Sequence, residues 1–134
     1  MDIDELVDNF SLLEDWEDKY AYLISLGDVL PKMDDALKTE EVRIKGCLSK
    51  VWMILGKDDE DRISLLADSD AQIVKGLVAV IFIIINGKKT EELKSINIEE
   101  VFSKIGLDQH LTPNRRNGFF AMLERIRKFI EVGT

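Results

Sequence analysis

The residue of this chain best suited to covalent chemistry is its single cysteine, Cys47. It lies in the run 42–55, which reads V-R-I-K-G-C-L-S-K-V-W-M-I-L. The thiolate is the reactive form of cysteine, and neighbouring cations lower the pKa of a thiol. Arg43, Lys45 and Lys50 flank Cys47, so we predict a local excess of positive charge around it. A lone cysteine is more often an inert buried side chain, so spacing alone leaves both roles open.

Few other residues of the chain could bind a metal ion or take part in catalysis. A zinc or iron–sulfur site needs three or four ligands, and one cysteine with one histidine, His110, cannot supply them within one chain. No Gly-rich phosphate loop, GxSxG elbow or HExxH pair is present. A hydrolase with His110 as the base for Cys47, and an interaction module with an inert cysteine, remain the alternative classes. We expect no metal and no cofactor.

Composition narrows the class of protein. A length of 134 residues predicts a single domain over residues 1–134. The net charge of −8 argues against nucleic acid or an anionic membrane as a partner. One cysteine allows no intramolecular disulfide, and the N-terminal M-D-I-D-E-L lacks the features of a secretory signal or mitochondrial presequence. We therefore predict a cytoplasmic protein.

Two helices are predicted before the cysteine. Apolar residues at helical spacing occupy one face over residues 3–10. A second helix is expected from about 14 to 26, with Gly27 as its C-terminal stop. Residues 34–41 are rich in acidic side chains and are predicted to form a solvated loop.

A small antiparallel sheet is predicted around the cysteine. Two strand-like runs meet at Gly46, where glycine allows backbone dihedrals that other residues avoid. Residues 63–67 read as a further strand after a polar turn, which gives about three strands in all. This arrangement would place Cys47 at a bend, within reach of a partner.

A central helix is predicted after the sheet. Ser69 and Gln72 match a capping box, and the apolar run 77–85 is too short to span a bilayer, which needs about 20 residues. Asn86 and Gly87 should end this helix.

Three more helices are expected towards the C-terminus. Residues 90–94 and 98–104 should form short helices, the second ended by Gly106. Thr112 should cap a last helix that begins at Pro113, where a missing N–H is harmless. The buried stripe of that helix is predicted to consist of Phe119, Leu123, Ile126 and Ile130.

The SufE family of sulfur-acceptor proteins is resembled by the opening helix and turn, D-W-E-D-K-Y-A-Y-L-I-S-L-G-D-V-L-P, and by three further motifs. The first is the cysteine run, which resembles the family's V-x-G-C-x-S-x-V-W pattern, with Leu48 where the family commonly has Gln. The others are S-D-A-Q-I-V-K-G-L at the central helix and H-L-T-P-N-R-R-N-G at the last helix, which resembles H-L-(S/T)-P-x-R-x-N-G. The resemblance extends from about Phe10 to near the C-terminus.

The resemblance implies both a fold and a function. The fold would be α+β, a small antiparallel sheet packed by N-terminal, central and C-terminal helices, as in the SufE/NifU (IscU-like) fold. Cys47 would take persulfide sulfur from a pyridoxal-phosphate cysteine desulfurase (SufS-like), stimulate that enzyme, and pass the sulfur to the iron–sulfur assembly scaffold (SufBCD-like). A paralogous acceptor that serves another desulfurase would look much the same, and either would be a monomer or weak homodimer.

The resemblance also implies a set of site residues. Cys47 would be the persulfide acceptor, and Arg115 matches the family arginine more closely than its neighbour Arg116. SufE-like proteins are described with this cysteine tucked into an apolar cavity, and Leu48, Val51, Trp52 and Met53 are the apolar neighbours in sequence. The residues expected to support the thiol or bind a partner are Gly46, Ser49, Trp52, Asp70, His110 and Arg115.

Overall fold

The computed structural model describes residues 1–46, 49–107 and 112–132, which form six α-helices and one two-stranded antiparallel sheet. The predicted α+β fold class is confirmed. In chain order the elements are α1 (Ile3–Ser11), α2 (Trp16–Leu26), β1 (Val51–Lys57), β2 (Ile63–Ser69), α3 (Gln72–Ile85), α4 (Thr90–Lys94), α5 (Ile98–Lys104) and α6 (Pro113–Val132).

Helix α3 is the centre of the core. It is apolar on nearly every face, and it packs on α2 and on β2, so most of its side chains are buried. At Gly76 an added Cβ would lie 2.4 Å from the carbonyl oxygen of Leu23, so only glycine permits this approach of α2. The predicted core helix is thus confirmed. No helix among the described residues is both long enough and apolar enough to cross a membrane.

The start of α3 differs from the prediction. Ser69 is the last residue of β2, and the N-cap position is taken by Ala71, whose side chain accepts no hydrogen bond. The Ser69 hydroxyl donates to the carbonyl of Lys50 at 2.8 Å and accepts from the Ala71 N–H at 3.2 Å. The predicted capping box is therefore wrong, because pairing with β1 holds Ser69 in the sheet.

The sheet is smaller than predicted. Glu40–Val42 forms a 3-10 turn, and the expected first strand is reduced to one antiparallel bridge between Arg43 and Trp52. Next to it the Ile44 N–H donates to the carbonyl of Val51 at 2.8 Å. Gly46 then turns the chain with φ of +92°, and this turn leaves no length for a longer strand.

Glycines end the helices in two ways. Gly87 and Gly106 both have φ of +79° and terminate α3 and the segment after α5, as expected. Gly27 instead has right-handed φ of −54°, and the chain continues into the 3-10 turn Gly27–Val29. The predicted stop at Gly27 is not a left-handed cap. Its missing side chain leaves room for Lys75, whose Cγ would lie 3.2 Å from an added Cβ.

Helix α6 closes the core on the remaining side. It begins at Pro113, and the hydroxyl of Thr112 accepts a hydrogen bond from the Arg115 N–H at 3.3 Å, so the predicted cap is confirmed. The ring of Phe119 lies 4.1 Å from that of Phe102 on α5, centroid to centroid. The buried side chains of α6 include Phe119, Met122, Leu123 and Ile126.

Candidate functional site

The candidate site lies where the turn at Lys45 and Gly46, just before the cysteine in sequence, meets α6. Cys47 and Leu48 lie outside the described residues, but the residues on either side of them are placed. Gly46 lies against α6, since a Cβ built there would be 3.7 Å from the Cβ of Ala121. Ser49 is half-buried and lines a cavity beside the same helix. The positive φ of Gly46 confirms that this position needs glycine.

The cavity has a volume of about 220 Å³ and an apolar floor. Val74 and Leu77 reach it from the first half of α3, and Phe119 and Met122 from α6. All four side chains are buried, so the floor belongs to the hydrophobic core.

Polar groups form the rim of this cavity. They are Ser49, Thr112, Asn114 and Arg115. Arg115 is half-buried, and no carboxylate among the described residues forms an ion pair with it. The start of α6 adds backbone N–H groups that favour negative charge. Arg116 is exposed and does not line the cavity, so the rim combines one arginine with a helix N-terminus.

Asp70 fixes the chain where it leaves the turn. Its Oδ1 accepts a hydrogen bond from the Lys50 N–H at 2.9 Å, and its own N–H donates to the Lys50 carbonyl at 3.2 Å. The Ser69 hydroxyl donates to that same carbonyl. The Asp70 carboxylate does not line the cavity, so the structure gives it a positioning role.

Trp52 lies away from the cavity. Its register partner across the sheet is Asp68, and its two neighbours Val51 and Met53 alternate to the opposite, buried face. The ammonium of Lys38 lies 5.3 Å from the Trp52 ring centroid and 2.9 Å from Asp68. The indole therefore does not contribute to an apolar shelter at this cavity.

The predicted positive charge near Cys47 is smaller than the sequence indicates. Glu40 lies 3.1 Å from the ammonium of Lys45 and 3.3 Å from the guanidinium of Arg43. These cations, Lys45 first, lower the pKa of the Glu40 carboxyl. Two of the three flanking cations are thus paired, which leaves Lys50 and Arg115 without an ion-paired carboxylate in the described part of the chain.

The structure adds residues to the site that were not singled out from the sequence. Of the predicted residues, Ser49 and Arg115 line the same cavity and Gly46 lies against α6 farther along the helix, whereas His110 lies outside the described residues. An apolar cavity was expected from the resemblance, but Asn114 was missed and the residues that form the floor were not identified from the sequence. Asn114 stands inside the H-L-T-P-N-R-R-N-G motif, and Val74 and Leu77 stand inside S-D-A-Q-I-V-K-G-L, so both motifs carried the signal.

Over 1–46, 49–107 and 112–132, no three histidine, cysteine or acidic side chains are grouped so that they could hold a metal ion.

Comparison with known proteins identifies relatives along nearly the whole chain. A family model described as SufE, an Fe-S metabolism associated domain, matches residues 4–130. An uncharacterized SufE-like protein of Rhizobium meliloti (strain 1021) is 39% identical over 132 residues, covering 96% of this chain and 94% of that protein. A second, from Rhizobium etli, is 40% identical over 133 residues, with 97% and 90% covered.

Structural comparison supports the fold. The solution structure of a hypothetical protein from Thermus thermophilus aligns with a TM-score of 0.76 at 18% identity, covering 96% of this chain and 93% of that one. Since the SufE model takes in both the cysteine turn and the arginine at the start of α6, and relatives of nearly equal length share about two residues in five, the chain belongs to the SufE family.

Proposed function

We propose that this protein accepts persulfide sulfur from a pyridoxal-phosphate cysteine desulfurase on Cys47 and passes it to the iron–sulfur assembly scaffold. The observation that carries the proposal is the cavity beside the cysteine turn. It joins an apolar floor to a rim that holds Arg115 and the N-terminus of α6. Family membership supports a role in Fe–S metabolism.

The transfer step is a thiol exchange. The thiolate of Cys47 attacks the terminal sulfur of the persulfide on the desulfurase cysteine. A new S–S bond forms on Cys47, the S–S bond on the desulfurase breaks, and the desulfurase cysteine leaves as a thiolate. The exchange needs no external oxidant or reductant, and it requires no general base because the attacking group is already partly ionised. We therefore assign no base function to His110.

The cavity has the properties that a carrier needs. An apolar floor would exclude water and small thiols from a persulfide docked there, while burial of a thiolate away from water raises its pKa and slows its attack. Arg115 and the start of α6 act in the opposite direction, because positive charge favours the ionised sulfur. We propose that Cys47 uses the cavity when the protein is free and turns outward when the desulfurase is docked.

The remaining expectations belong to the same proposal. Removal of the persulfide frees the desulfurase for another turnover, so the protein would stimulate a SufS-like enzyme and then serve a SufBCD-like scaffold. It would work in the cytoplasm, as one domain over residues 1–134, without a cofactor of its own. A paralogous acceptor for a different desulfurase would use the same geometry.

The experiment uses the mass of the protein after incubation with a cysteine desulfurase and cysteine. We expect the wild-type chain to gain one sulfur atom that a reducing agent removes, and Cys47→Ser to gain none. Cys47→Ser should remain folded and should not stimulate the desulfurase. Full stimulation by this variant would instead identify an allosteric partner and remove the acceptor mechanism.

A further inference from the structure

One outer edge of the sheet is covered by another segment of the chain, and the other edge is largely open. The edge of β2 is covered by the segment that follows α3. The Leu65 N–H donates to the side chain of Asn86 at 3.0 Å, the Ile63 N–H donates to the carbonyl of Lys88 at 2.8 Å, and the Gly87 N–H donates to the carbonyl of Ile63 at 2.7 Å. No further strand can pair along this edge without displacing that segment.

The outer edge of β1 is open beyond its first residues. Because Ile44 donates to the carbonyl of Val51, the alternation of an antiparallel strand directs the backbone groups of Leu55 and Lys57 towards the same edge. After the bridge at Arg43, nothing within the described residues hydrogen-bonds to these groups. An unpaired strand edge is a template for pairing with another chain.

A groove of about 500 Å³ runs beside this open edge. On one side are Met53 and Leu55 of β1 together with Val42, and on the other is Phe129 of α6. A strand edge that faces a helix across an apolar groove is the geometry by which several peptide-binding domains add an extended ligand as a further strand.

The charge along the groove indicates the chemistry of its partner. Arg125 and Lys128 line it from α6 and are partly or fully exposed. The Arg125 guanidinium donates to the Glu41 carbonyl at 3.4 Å, and neither cation forms an ion pair with a described carboxylate. Arg127, which does not line the groove, is paired with Glu99. In a chain of net charge −8, two such cations favour an acidic ligand.

We propose that this groove binds an extended segment of a partner protein as an additional strand on β1, with both apolar and acidic side chains on the face that points to α6. A second copy of this chain is the weaker candidate, because a two-fold pairing of β1 edges would bring Arg125 and Lys128 of both copies into one interface. The cavity uses α6 only as far as Met122, whereas the groove begins at Arg125. The proposal is therefore independent of sulfur transfer.

The probe is a fluorescent peptide of about ten residues, at the upper end of ordinary strand lengths. Valine and glutamate alternate at every second position, with threonine between them, so that both lie on one face of the strand. Binding to the full chain is measured by fluorescence anisotropy at moderate salt. We expect Lys128→Glu to weaken binding about fivefold, because it reverses one groove charge, and Arg127→Glu, a matched reversal on the same helix, to change it less than about twofold. Replacing every glutamate of the peptide by lysine should abolish binding.

Backbone pairing is tested separately with Leu55→Pro. The Leu55 N–H points to the open edge, so proline removes this donor and leaves the ladder to β2 intact. We expect at least a tenfold loss of peptide affinity with an unchanged circular dichroism spectrum. Should this variant fail to fold, the fully N-methylated peptide tests the same hydrogen bonds against the wild-type chain and should not bind.

Three results would overturn the proposal. The first is absence of peptide binding, and the second is binding that Lys128→Glu and Arg127→Glu weaken equally. The third is a dimer in sedimentation velocity that Leu55→Pro dissociates, which would show that a second copy occupies the edge.

Discussion

At each end of the β1–β2 hairpin an aspartate carboxylate accepts a hydrogen bond from a backbone N–H, but the two ends serve different purposes. At the tip, the carboxylate of Asp58 accepts from the Arg62 N–H at 2.9 Å, and at the cysteine end Asp70 accepts from the Lys50 N–H at 2.9 Å. The tip adds a side-chain network, in which the buried hydroxyl of Thr90 donates to Asp61. The cysteine end has ion pairs of its own, Glu40 with Lys45 and Lys38 with Asp68, but none of these four charged side chains lines the cavity onto which this end opens.

The electrostatics of the tip follow from this network. The hydrogen bond from Thr90, and then the ammonium of Lys57 at 3.1 Å, lower the pKa of the Asp61 carboxyl. Asp61 also has φ of +66°, a conformation that aspartate tolerates better than most residues. The difference teaches that the ion pairs of the hairpin stabilise it without entering the cavity. Mutations at the tip should therefore affect stability, and mutations at the cysteine end should affect transfer.

The largest effect on transfer short of removing the thiol is expected from Arg115→Ala. Loss of this cation should raise the pKa of the thiol, so less thiolate is present at neutral pH and sulfur uptake slows. The initial rate of sulfur uptake, measured against pH, should shift to higher pH, and Arg115→Lys should restore most of it. Arg116→Ala makes the same charge change outside the cavity and should alter the rate less than about twofold. Equal effects of the two alanines would contradict the assignment of Arg115.

At the tip, Thr90→Val should lower the free energy of unfolding by about 1 kcal/mol, because it removes one largely buried hydrogen bond without changing the volume. Denaturant unfolding provides the measurement. The rate of sulfur uptake by the folded variant should equal that of the wild type. A variant that is folded and yet transfers tenfold more slowly would mean that the two ends of the hairpin are coupled.

At the cysteine end, Asp70→Ala should slow sulfur uptake by about threefold while costing less than about 1 kcal/mol of stability, since water can replace the lost acceptor. Asp70→Asn keeps an acceptor oxygen and should retain the wild-type rate. Hydrogen exchange at the Lys50 amide directly reports the hydrogen bond from this N–H to the Asp70 carboxylate. We expect faster exchange in the alanine variant alone. Unchanged exchange would show that Asp70 does not position this turn.

A structural feature could be predicted from the sequence when the interactions that cause it lie within a few residues of it. The short helices α4 and α5 have the predicted bounds, and Thr112 caps α6 as expected, because capping and helical spacing act within a few residues. The positive φ of Gly46 was predictable for the same reason.

The sequence predictions were wrong where contacts with a segment distant in the chain determine the local structure. Ser69 has the spacing of a cap, but pairing with β1 keeps it in the sheet. Glu40 neutralises Lys45 through a 3-10 turn that the composition of the loop did not reveal. Trp52 faces away from the cavity because the register of the sheet, rather than its place next to the motif, sets its direction.

The smallest expected effect concerns the cluster on the outer face of the sheet, where Lys38 contacts both Asp68 and Asp35. Burial acts to raise the pKa of Asp68, but the hydrogen bonds from Lys38 and from the Ser69 N–H, together with the charge of Lys75, outweigh it, so this pKa lies below its ordinary value. The hydrogen bond to Asp68, followed by that to Asp35, raises the pKa of Lys38.

These opposite shifts define where the cluster stabilises the fold. Because the pKa of Asp68 is depressed in the folded state, its carboxylate stabilises the fold at pH values above the ordinary pKa of 3.8. This stabilisation is lost as the pH falls through the lower pKa of the folded state. Because the pKa of Lys38 is raised in the folded state, its ammonium stabilises the fold at pH values below the ordinary pKa of 10.5. This stabilisation is lost as the pH rises through the higher pKa of the folded state. Asp68→Asn should thus cost less than about 1 kcal/mol at pH 7, because the pair is only partly buried. The difference from wild type should shrink as the pH falls below 3.8 and vanish once the pH is below the depressed pKa of the folded state. Unfolding monitored by Trp52 fluorescence, with Trp16→Phe as the background, reads this cluster directly. A difference that persists undiminished in acid would show that the carboxylate acts through packing and not through charge.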